Sequence, residues 1–182
     1  MLIRETSDSD LPVLLDIHRR AFGQDVEAEL ARDILNDSSA EPVLSLMALD
    51  GEAPLGHVLF SRTRLTGPER GPDRDRPSAI LAPLAVVPDA QRRGVGGALV
   101  EDGLERLAQS GTGLVFVLGD PGYYGRFGFE AAHPFGLVTP FPIPEAYAEA
   151  WMVRALDGGA LGNSGGRLVC CAALSKPEYW SE

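Results

Sequence analysis

The chain contains little cysteine and has a deficit of basic residues. Only two of its 182 residues are cysteines, Cys170 and Cys171, and they are neighbours in the sequence. Neighbouring side chains of a strand face opposite sides and are poorly placed to bond each other, so neither a disulfide framework nor a metal site is predicted. With 16 Lys and Arg against 26 Asp and Glu, the net charge is −10. This charge argues against nucleic acid as a partner, because such binding requires a basic surface.

Long apolar runs are missing as well. The N-terminal sequence MLIRETSDSD turns polar and acidic at once, unlike a signal peptide, and no uninterrupted apolar run is long enough to span a bilayer. We therefore expect a cytoplasmic protein without a membrane partner. Apolar residues make up 45% of the chain and charged residues 23%, as in soluble globular proteins, and no repeat or break in composition divides it. A single domain over residues 1–182 is the expectation.

The spacing of apolar residues predicts alternating strands and helices. Polar side chains at 7–10 offer N-cap oxygens to a first helix, which Gly23 ends, and the Gly- and Pro-rich stretch 67–77 is expected to be a loop. Two predicted helices cover residues 11–22 and 25–35. A third begins at the glycines of 94–97 and runs to about residue 107. The predicted strands cover 2–4, 43–49, 55–63, a stretch ending at 87, 114–118, 147–156 and 167–173.

The most informative stretch is 81–107, where an apolar strand and a short polar turn lead into the segment QRRGVGG, from Gln91 to Gly97, and then into an amphipathic helix. Backbone N–H groups in the first turn of a helix have no intrahelical partner, and the helix dipole adds partial positive charge there. Glycines let a bulky pyrophosphate approach the backbone, and Arg92 and Arg93 supply full charges. The segment therefore predicts an anion site.

Other interpretations of the same segment are weaker. A glycine-rich helix start that only packs against a neighbouring strand is the simplest alternative, but two adjacent arginines count against it. In a dinucleotide-binding fingerprint the first glycine follows the strand directly, whereas six residues separate Val87 from Gly94 here, and Leu99 stands at the third glycine position. A Walker phosphate loop fails because no Gly-Lys-Ser or Gly-Lys-Thr follows.

Three short motifs occur in a fixed order around this segment. A strand ends in LAVVP at 84–88, the segment QRRGVG follows at 91–96, and YGRFGF lies at 124–129 after the next strand. Together they resemble the motifs of the GNAT superfamily of acyl-CoA-dependent N-acyltransferases. The Gly-Asp-Pro sequence before the third motif resembles the sequence at this place in members of the bacterial YhbS-like branch of that superfamily.

The resemblance implies a fold and a donor site. The fold would be α/β, with a mixed, strongly twisted central sheet of about seven strands and flanking helices. The strands around 84–86 and 114–118 would splay apart to admit the pantetheine arm of acetyl-CoA, and Pro83, which lacks an N–H, favours a bulge there. The residues implied to bind the donor are Leu84, Ala85 and Val86 through their backbone, and Gln91, Arg92, Arg93, Gly94, Val95, Gly96 and Gly97 around the pyrophosphate.

The resemblance also implies a reaction in which a primary amine of a small molecule or protein attacks the thioester directly, without a covalent enzyme intermediate. The N–H near Leu84 would polarise the thioester carbonyl. Tyr124 is the predicted general acid for the departing thiolate, with Tyr123 as its rival. Members of the superfamily are commonly dimers, which makes a homodimer an expectation here too.

Two departures from the family pattern leave the base and the acceptor open. No acid stands at 79–83, where many relatives carry a glutamate, so either Glu27 or Glu29 serves as base or the amine arrives neutral. His57 and His133 have suitable chemistry, but lone histidines are more often structural. At the end of the strand 114–118, where relatives often carry an asparagine, a backbone contact would have to replace it.

Glu27 and Phe135 are the predicted substrate-binding residues, and the aromatic residues Phe141 and Tyr147 are further candidates for the acceptor site. The missing glutamate also keeps a second function open, since a fold does not secure an activity. In that alternative the chain is a catalytically inactive CoA-binding sensor or scaffold of the same fold.

Overall fold

A computed structural model describes residues 1–67, 75–162 and 165–181. Most of the loop predicted at 67–77 lies outside these residues. The strands are Leu2–Glu5 (β1), Leu44–Asp50 (β2), Ala53–Thr66 (β3), Ser78–Val86 (β4), Leu114–Leu118 (β5), Glu130–Ala131 (β6), Leu137–Val138 (β7), Trp151–Ala155 (β8) and Gly166–Val169 (β9). The helices are Leu11–Phe22 (α1), Val26–Leu35 (α2), Val95–Gln109 (α3) and Pro121–Tyr124 (α4).

The strands form one mixed sheet, in the order β1-β2-β3-β4-β5-β8-β6. Neighbours along this path are antiparallel except β4 and β5, which are parallel. The path itself has seven strands, but they differ from the predicted set, because the path includes β6 and leaves out the predicted strand at 167–173, which corresponds to β9. The described residues add two short strands, because β9 pairs with the end of β3 and β7 pairs with β9, so the sheet has nine strands in all.

Helices cover both faces of the sheet. His57 of β3 reaches His18 of α1, whereas a Cβ atom built on the preceding residue, Gly56, would approach Leu99 of α3 at 3.0 Å. Successive residues of a strand face opposite sides, so α1 and α3 lie on opposite faces. Helix α2 packs beside α1 and against β4. The core therefore consists of two apolar layers, one on each side of the central strands.

Helix α1 has the predicted limits, and its ends show why. The Ser7 N–H donates to the Asp10 carboxylate at 2.8 Å just before the helix. Gly23 ends it with a φ of 69°, a left-handed conformation that glycine adopts readily. Among the described residues, no helix combines the length and the apolar character that crossing a membrane requires.

The two predicted closing strands are shorter than expected. Residues Glu145–Ala150 form 3₁₀ turns, and β8 begins only at Trp151, because its partner β5 offers five residues for pairing. Strand β9 pairs with only the last three residues of β3 and ends at Val169. The prediction that Cys170 and Cys171 lie in a strand is therefore wrong. Both are buried just beyond β9, where burial raises the pKa of each thiol.

Candidate active site

The turn between β4 and α3 exposes a cluster of backbone N–H groups. Gly94 precedes α3 with a φ of 82°, and Arg92 also has a positive φ, of 62°. Glycine adopts this region without a steric penalty, which explains its place before the helix. The Ala98 N–H donates to the Gly94 carbonyl at 3.0 Å, so the N–H groups of residues 95–97 precede the first intrahelical bond. These groups and the helix dipole favour an anion at the start of α3.

The polar side chains of this turn point in different directions. Gln91 Nε2 donates to the Val86 carbonyl at 3.1 Å and ties the turn to the end of β4. Arg92 lines the cleft above the helix start. Arg93 Nη1 instead points toward the Asp89 carbonyl, 3.5 Å away, and Arg93 does not line the cleft. The structure therefore brings Arg92, but not Arg93, to the predicted anion site.

The cleft above the start of α3, which we call the anion cleft, has a volume of about 620 Å³. Tyr123 covers it from α4, and a Cβ atom added to Gly96 would lie 2.5 Å from the Tyr123 hydroxyl. The guanidinium of Arg126 lies 4.7 Å from the centre of the Tyr123 ring. Arg92 and Arg126 thus supply two cations against one carboxylate, Glu101, in the lining. Arg126 is not among the sequence-predicted site residues, although a basic residue within the third motif was a usable signal.

A gap opens between β4 and β5, as predicted. The two strands pair over only three residues, and the pairing ends at Ile80 and Phe116. On its other side β4 remains paired with β3, and β5 remains paired with β8 along its whole length. The gap is therefore an opening inside the sheet rather than a frayed end.

The predicted irregularity at Pro83 lies beside this gap. Val58 of β3 faces Leu84, but two residues later Phe60 faces Leu81. Two residues of β4, one of them Pro83, are therefore placed against one residue of β3, which is the arrangement of a β-bulge. Pro83 has no N–H to give to the ladder, so the bulge falls where the sequence predicts it.

Beyond the bulge, the backbone N–H and C=O groups of successive β4 residues point alternately toward β3 and toward the gap. The Val87 N–H donates to the Leu55 carbonyl at 2.9 Å. Hydrogen-bonded and non-bonded pairs alternate in an antiparallel ladder, so Ala85 also bonds to β3, and the polar backbone groups of Leu84 and Val86 face the gap. Of the three residues implied to bind the donor through their backbone, Leu84 and Val86 point toward the gap, although the Val86 carbonyl already accepts from Gln91 Nε2.

Tyr124 lies in α4, shortly after the end of β5, and it lines neither the anion cleft nor the α2 pocket. Its ring packs against Gly119 and meets Phe129 edge to face, with 5.8 Å between the ring centres. Burial, followed by the neighbouring Tyr123, raises the pKa of Tyr124. Its hydroxyl therefore keeps its proton at neutral pH, and it has no hydrogen-bond partner among the residues that the structure describes.

A second pocket, of about 300 Å³, lies on the opposite face of the sheet beside α2; we call it the α2 pocket. Strands β4 and β5 form its floor where their pairing ends, and α2 and the C-terminal residues form its walls. Glu27, a predicted acceptor residue, is one of two polar side chains in this pocket, and Tyr179 is the other. The apolar lining residues are Val26, Leu30, Ile80, Leu81, Ala82, Leu118, Leu174 and Trp180.

The other predicted acceptor residues lie elsewhere. Phe135 is partly buried in a 3₁₀ turn and does not line the α2 pocket. Phe141 is packed against the core, and Tyr147 is exposed on the surface. Glu29 does not line the pocket either. The C-terminal residues Tyr179 and Trp180 are not among the sequence-predicted site residues, because nothing in their local sequence indicates a contact with β4.

The two candidate histidines have other partners. His57 is buried, with its Nδ1 2.8 Å from His18 Nε2 and its Nε2 2.8 Å from Ser45 Oγ. Burial lowers the pKa of His57 well below its usual value. His133 forms a surface pair with Glu149 at 2.7 Å. Neither ring lines the α2 pocket.

Comparison with known proteins identifies the family. A model of the acetyltransferase (GNAT) domain matches residues 2–132, well over half of the chain. The uncharacterized N-acetyltransferase YjhQ of Escherichia coli K12 is 43% identical over 153 residues, which cover 83% of this chain and 82% of YjhQ. The uncharacterized N-acetyltransferase YhbS of the same strain is 36% identical over 162 residues, covering 88% of this chain and 90% of YhbS. The chain belongs to the GNAT family, and it is an acyl-CoA-dependent acyltransferase.

Solved structures share the fold. The crystal structure of Escherichia coli YhbS in complex with CoA matches with a TM-score of 0.81 at 31% identity, covering 96% of this chain and 92% of that one. A GNAT family acetyltransferase from Brucella melitensis in complex with acetyl-CoA matches with a TM-score of 0.73 at 28% identity, covering 95% and 97%. These matches confirm the mixed α/β fold and the resemblance to the YhbS-like branch.

Proposed function

We propose that this enzyme transfers an acetyl group from acetyl-CoA to a primary amine, which attacks the thioester directly while both substrates are bound. The gap between β4 and β5 carries the proposal, because β4 borders the anion cleft at Val86 and the α2 pocket at Ile80–Ala82, where the gap begins. A donor lying along the gap would meet an acceptor in that pocket. The CoA and acetyl-CoA complexes of the two similar structures support this choice of donor.

The residues at the gap fit acetyl-CoA. The N–H groups at the start of α3, together with Arg92 and Arg126, would hold its diphosphate, and the backbone groups of Leu84 and Val86 would hold its pantetheine amides. Acetyl-CoA supplies an activated acyl group, a thioester. The Leu84 N–H donates to the thioester oxygen and stabilises the negative charge that develops there.

Two side chains transfer the protons of the reaction. As the amine nitrogen bonds to the carbonyl carbon and the carbon–sulfur bond breaks, Glu27 accepts a proton from the amine, and Tyr124 gives its proton to the sulfur. The position of Tyr124 against Gly119 favours it over Tyr123, whose hydroxyl lies over Gly96 in the anion cleft. The raised pKa of Tyr124 keeps the proton available.

Two measurements test the proposal. Millimolar acetyl-CoA is expected to raise the melting temperature, since a ligand that binds only the folded state stabilises it by mass action. A thiol-release assay over polyamines, aminoglycosides, amino acids and peptide N-termini is expected to find a turned-over acceptor. No thermal shift would refute the donor site. Tight binding without thiol release for any amine would favour the inactive sensor.

Conservative variants separate the two tyrosines. Tyr124→Phe is expected to lower kcat about 100-fold and to leave the Kd for acetyl-CoA unchanged. Tyr123→Phe is expected to change the Kd for acetyl-CoA more than kcat. Full turnover by Tyr124→Phe across the pH range, with Tyr123→Phe impaired, would reject the assignment of the general acid.

A further inference from the structure

The α2 pocket is small, and its lining is mostly apolar. Its volume of about 300 Å³ lies at the lower end of the range for small-molecule pockets, roughly 300–1,000 Å³. Apart from Glu27 and Tyr179, every lining side chain is apolar or, for Trp180, has its polar atom occupied, since Trp180 Nε1 donates to the Leu174 carbonyl at 2.9 Å. One carboxylate and one hydroxyl are therefore all that the lining side chains offer to polar atoms of a bound molecule.

The C-terminal segment holds Tyr179 in the wall of this pocket. The next residue, Trp180, is buried and meets the ring of Trp151 edge to face, with 5.7 Å between the ring centres. Trp151 in turn stacks on Phe116 of β5 at 5.3 Å. Residues Pro177–Tyr179 form a 3₁₀ turn immediately before this anchor. Tyr179 is thus fixed to the strand that borders the gap.

The hydroxyl of Tyr179 is neutral and lies near acidic groups. Burial raises its pKa, and the carboxylates of Asp33, Glu178, Glu29 and Glu27 raise it further, in that order. The phenol can therefore both donate and accept a hydrogen bond. The acidic groups outside the pocket attract an amine but offer it no enclosed site.

We infer that the acceptor is a primary amine carried on a compact apolar group, and that Tyr179 is a positioning residue that holds this amine opposite Glu27. The inference rests on the proposed function, because it takes the α2 pocket as the acceptor site. Burying apolar atoms against Leu30 and Leu118 is favourable. A second ammonium buried there would lose its hydration without a second carboxylate in the lining, which is costly.

A matched pair of amines tests the substrate class. Hexylamine and hexamethylenediamine have the same carbon chain, and only the diamine carries a second cation. The wild-type enzyme with acetyl-CoA is expected to show a kcat/KM at least tenfold higher for hexylamine. Equal values, or a preference for the diamine, would overturn the inference and would show that the outer carboxylates select a second ammonium.

A conservative variant tests Tyr179. Tyr179→Phe keeps the ring, so the segment keeps its packing, and we expect the KM for hexylamine to rise about tenfold. The kcat at saturation and the Kd for acetyl-CoA are expected to stay within twofold, which a general loss of structure would not allow. Tyr147→Phe, at an exposed tyrosine outside the pocket, is the control and should match wild type.

The outcomes distinguish the inference from the proposed function. An unchanged KM in Tyr179→Phe, or an equal loss in kcat and in acetyl-CoA binding, would overturn the role of Tyr179. Turnover of other amines without the preference for hexylamine would overturn only the inference about the acceptor and would leave the proposed function intact. Absence of thiol release with every amine tested, despite acetyl-CoA binding, would overturn both.

Discussion

Tyr124 fills the space that a side chain at position 119 would need. A Cβ atom on Gly119 would lie 2.8 Å from Cδ2 of the Tyr124 ring, closer than Cβ atoms approach other heavy atoms in real structures. This packing leaves no room for a larger side chain at position 119. The Gly119 N–H donates to the Ala150 carbonyl at 2.9 Å, which also holds this strand end in place.

Gly119→Ala is therefore expected to displace Tyr124 and to lower kcat by on the order of ten- to a hundredfold, since small displacements of a reacting group are costly. Gly122→Ala lies in the same turn, where the added Cβ would meet its nearest neighbour, Asp120 Oδ1, at 3.4 Å, and it should behave like wild type. Steady-state kinetics with hexylamine would check both variants. A wild-type kcat in Gly119→Ala would contradict the placement of Tyr124.

Gly96→Ala is expected to weaken acetyl-CoA binding about tenfold. Its methyl group would lie 2.5 Å from the Tyr123 hydroxyl, so either Tyr123 or the start of α3 must move. Because the clash involves the hydroxyl, Gly96→Ala combined with Tyr123→Phe should bind more tightly than Gly96→Ala alone. Titration calorimetry on the four proteins gives the coupling between the two sites. Strictly additive effects would argue against the contact.

Gly103→Ala is expected to destabilise the fold by roughly 1–3 kcal/mol, the usual cost of overpacking a core. A Cβ atom on this residue of α3 would overlap the ring of Phe60, which is buried on β3. Gly125→Ala is the matched control, because its Cβ would meet nothing within 4 Å and its φ of −56° suits alanine. Chemical denaturation would measure both. Equal stability for the two variants would refute the tight contact between α3 and β3.

Stability is expected to fall as the pH decreases from about 6.5 to 4. Burial lowers the pKa of His18 from 6.5 to about 4, so the unfolded chain binds more protons than the folded chain in this window. The stability that a neutral His18 provides is full above pH 6.5 and is lost toward pH 4, by about 3 kcal/mol in all. His57, whose pKa is also lowered, acts in the same direction.

Denaturation midpoints between pH 7 and 4.5 would measure this loss. The Arg4 hydrogen bond lowers the pKa of Asp10, so its contribution is lost only at more acidic pH and does not overlap the window. Replacing both buried histidines with asparagine should flatten the profile. A flat wild-type profile would show that the two histidines charge freely in the folded protein.

The sequence predicts those parts of the site that depend on short-range chemistry. The glycine-rich helix start, the bulge at Pro83 and the tyrosine turn each follow from residues within a few positions of one another. The different directions of Arg92 and Arg93 could not be predicted, because they depend on the positive φ of Arg92 and on the nearby Asp89 carbonyl.

Long-range packing accounts for most of what the sequence did not predict. The limits of β8 follow from the length of β5, and those of β9 from pairing with only the last three residues of β3, neither of which local apolar spacing encodes. Tyr179 reaches the α2 pocket only because Trp180 packs on Trp151, a contact between residues 29 positions apart in the printed sequence. Phe135 is aromatic and follows a proline, but the same long-range packing places it outside that pocket.

The gap between β4 and β5 also has a consequence for solubility. Unpaired backbone at the rim of a sheet is a template for association between molecules, and proteins usually guard it with charges or prolines. Here the open N–H and C=O groups lie between two strands that converge at Ile80 and Phe116, in a wedge that narrows to a closed end. Such a wedge admits one slender chain and excludes the flat face of another sheet. A small ligand can therefore hydrogen-bond to this backbone as an added strand would, whereas another protein molecule cannot, so the gap does not promote aggregation.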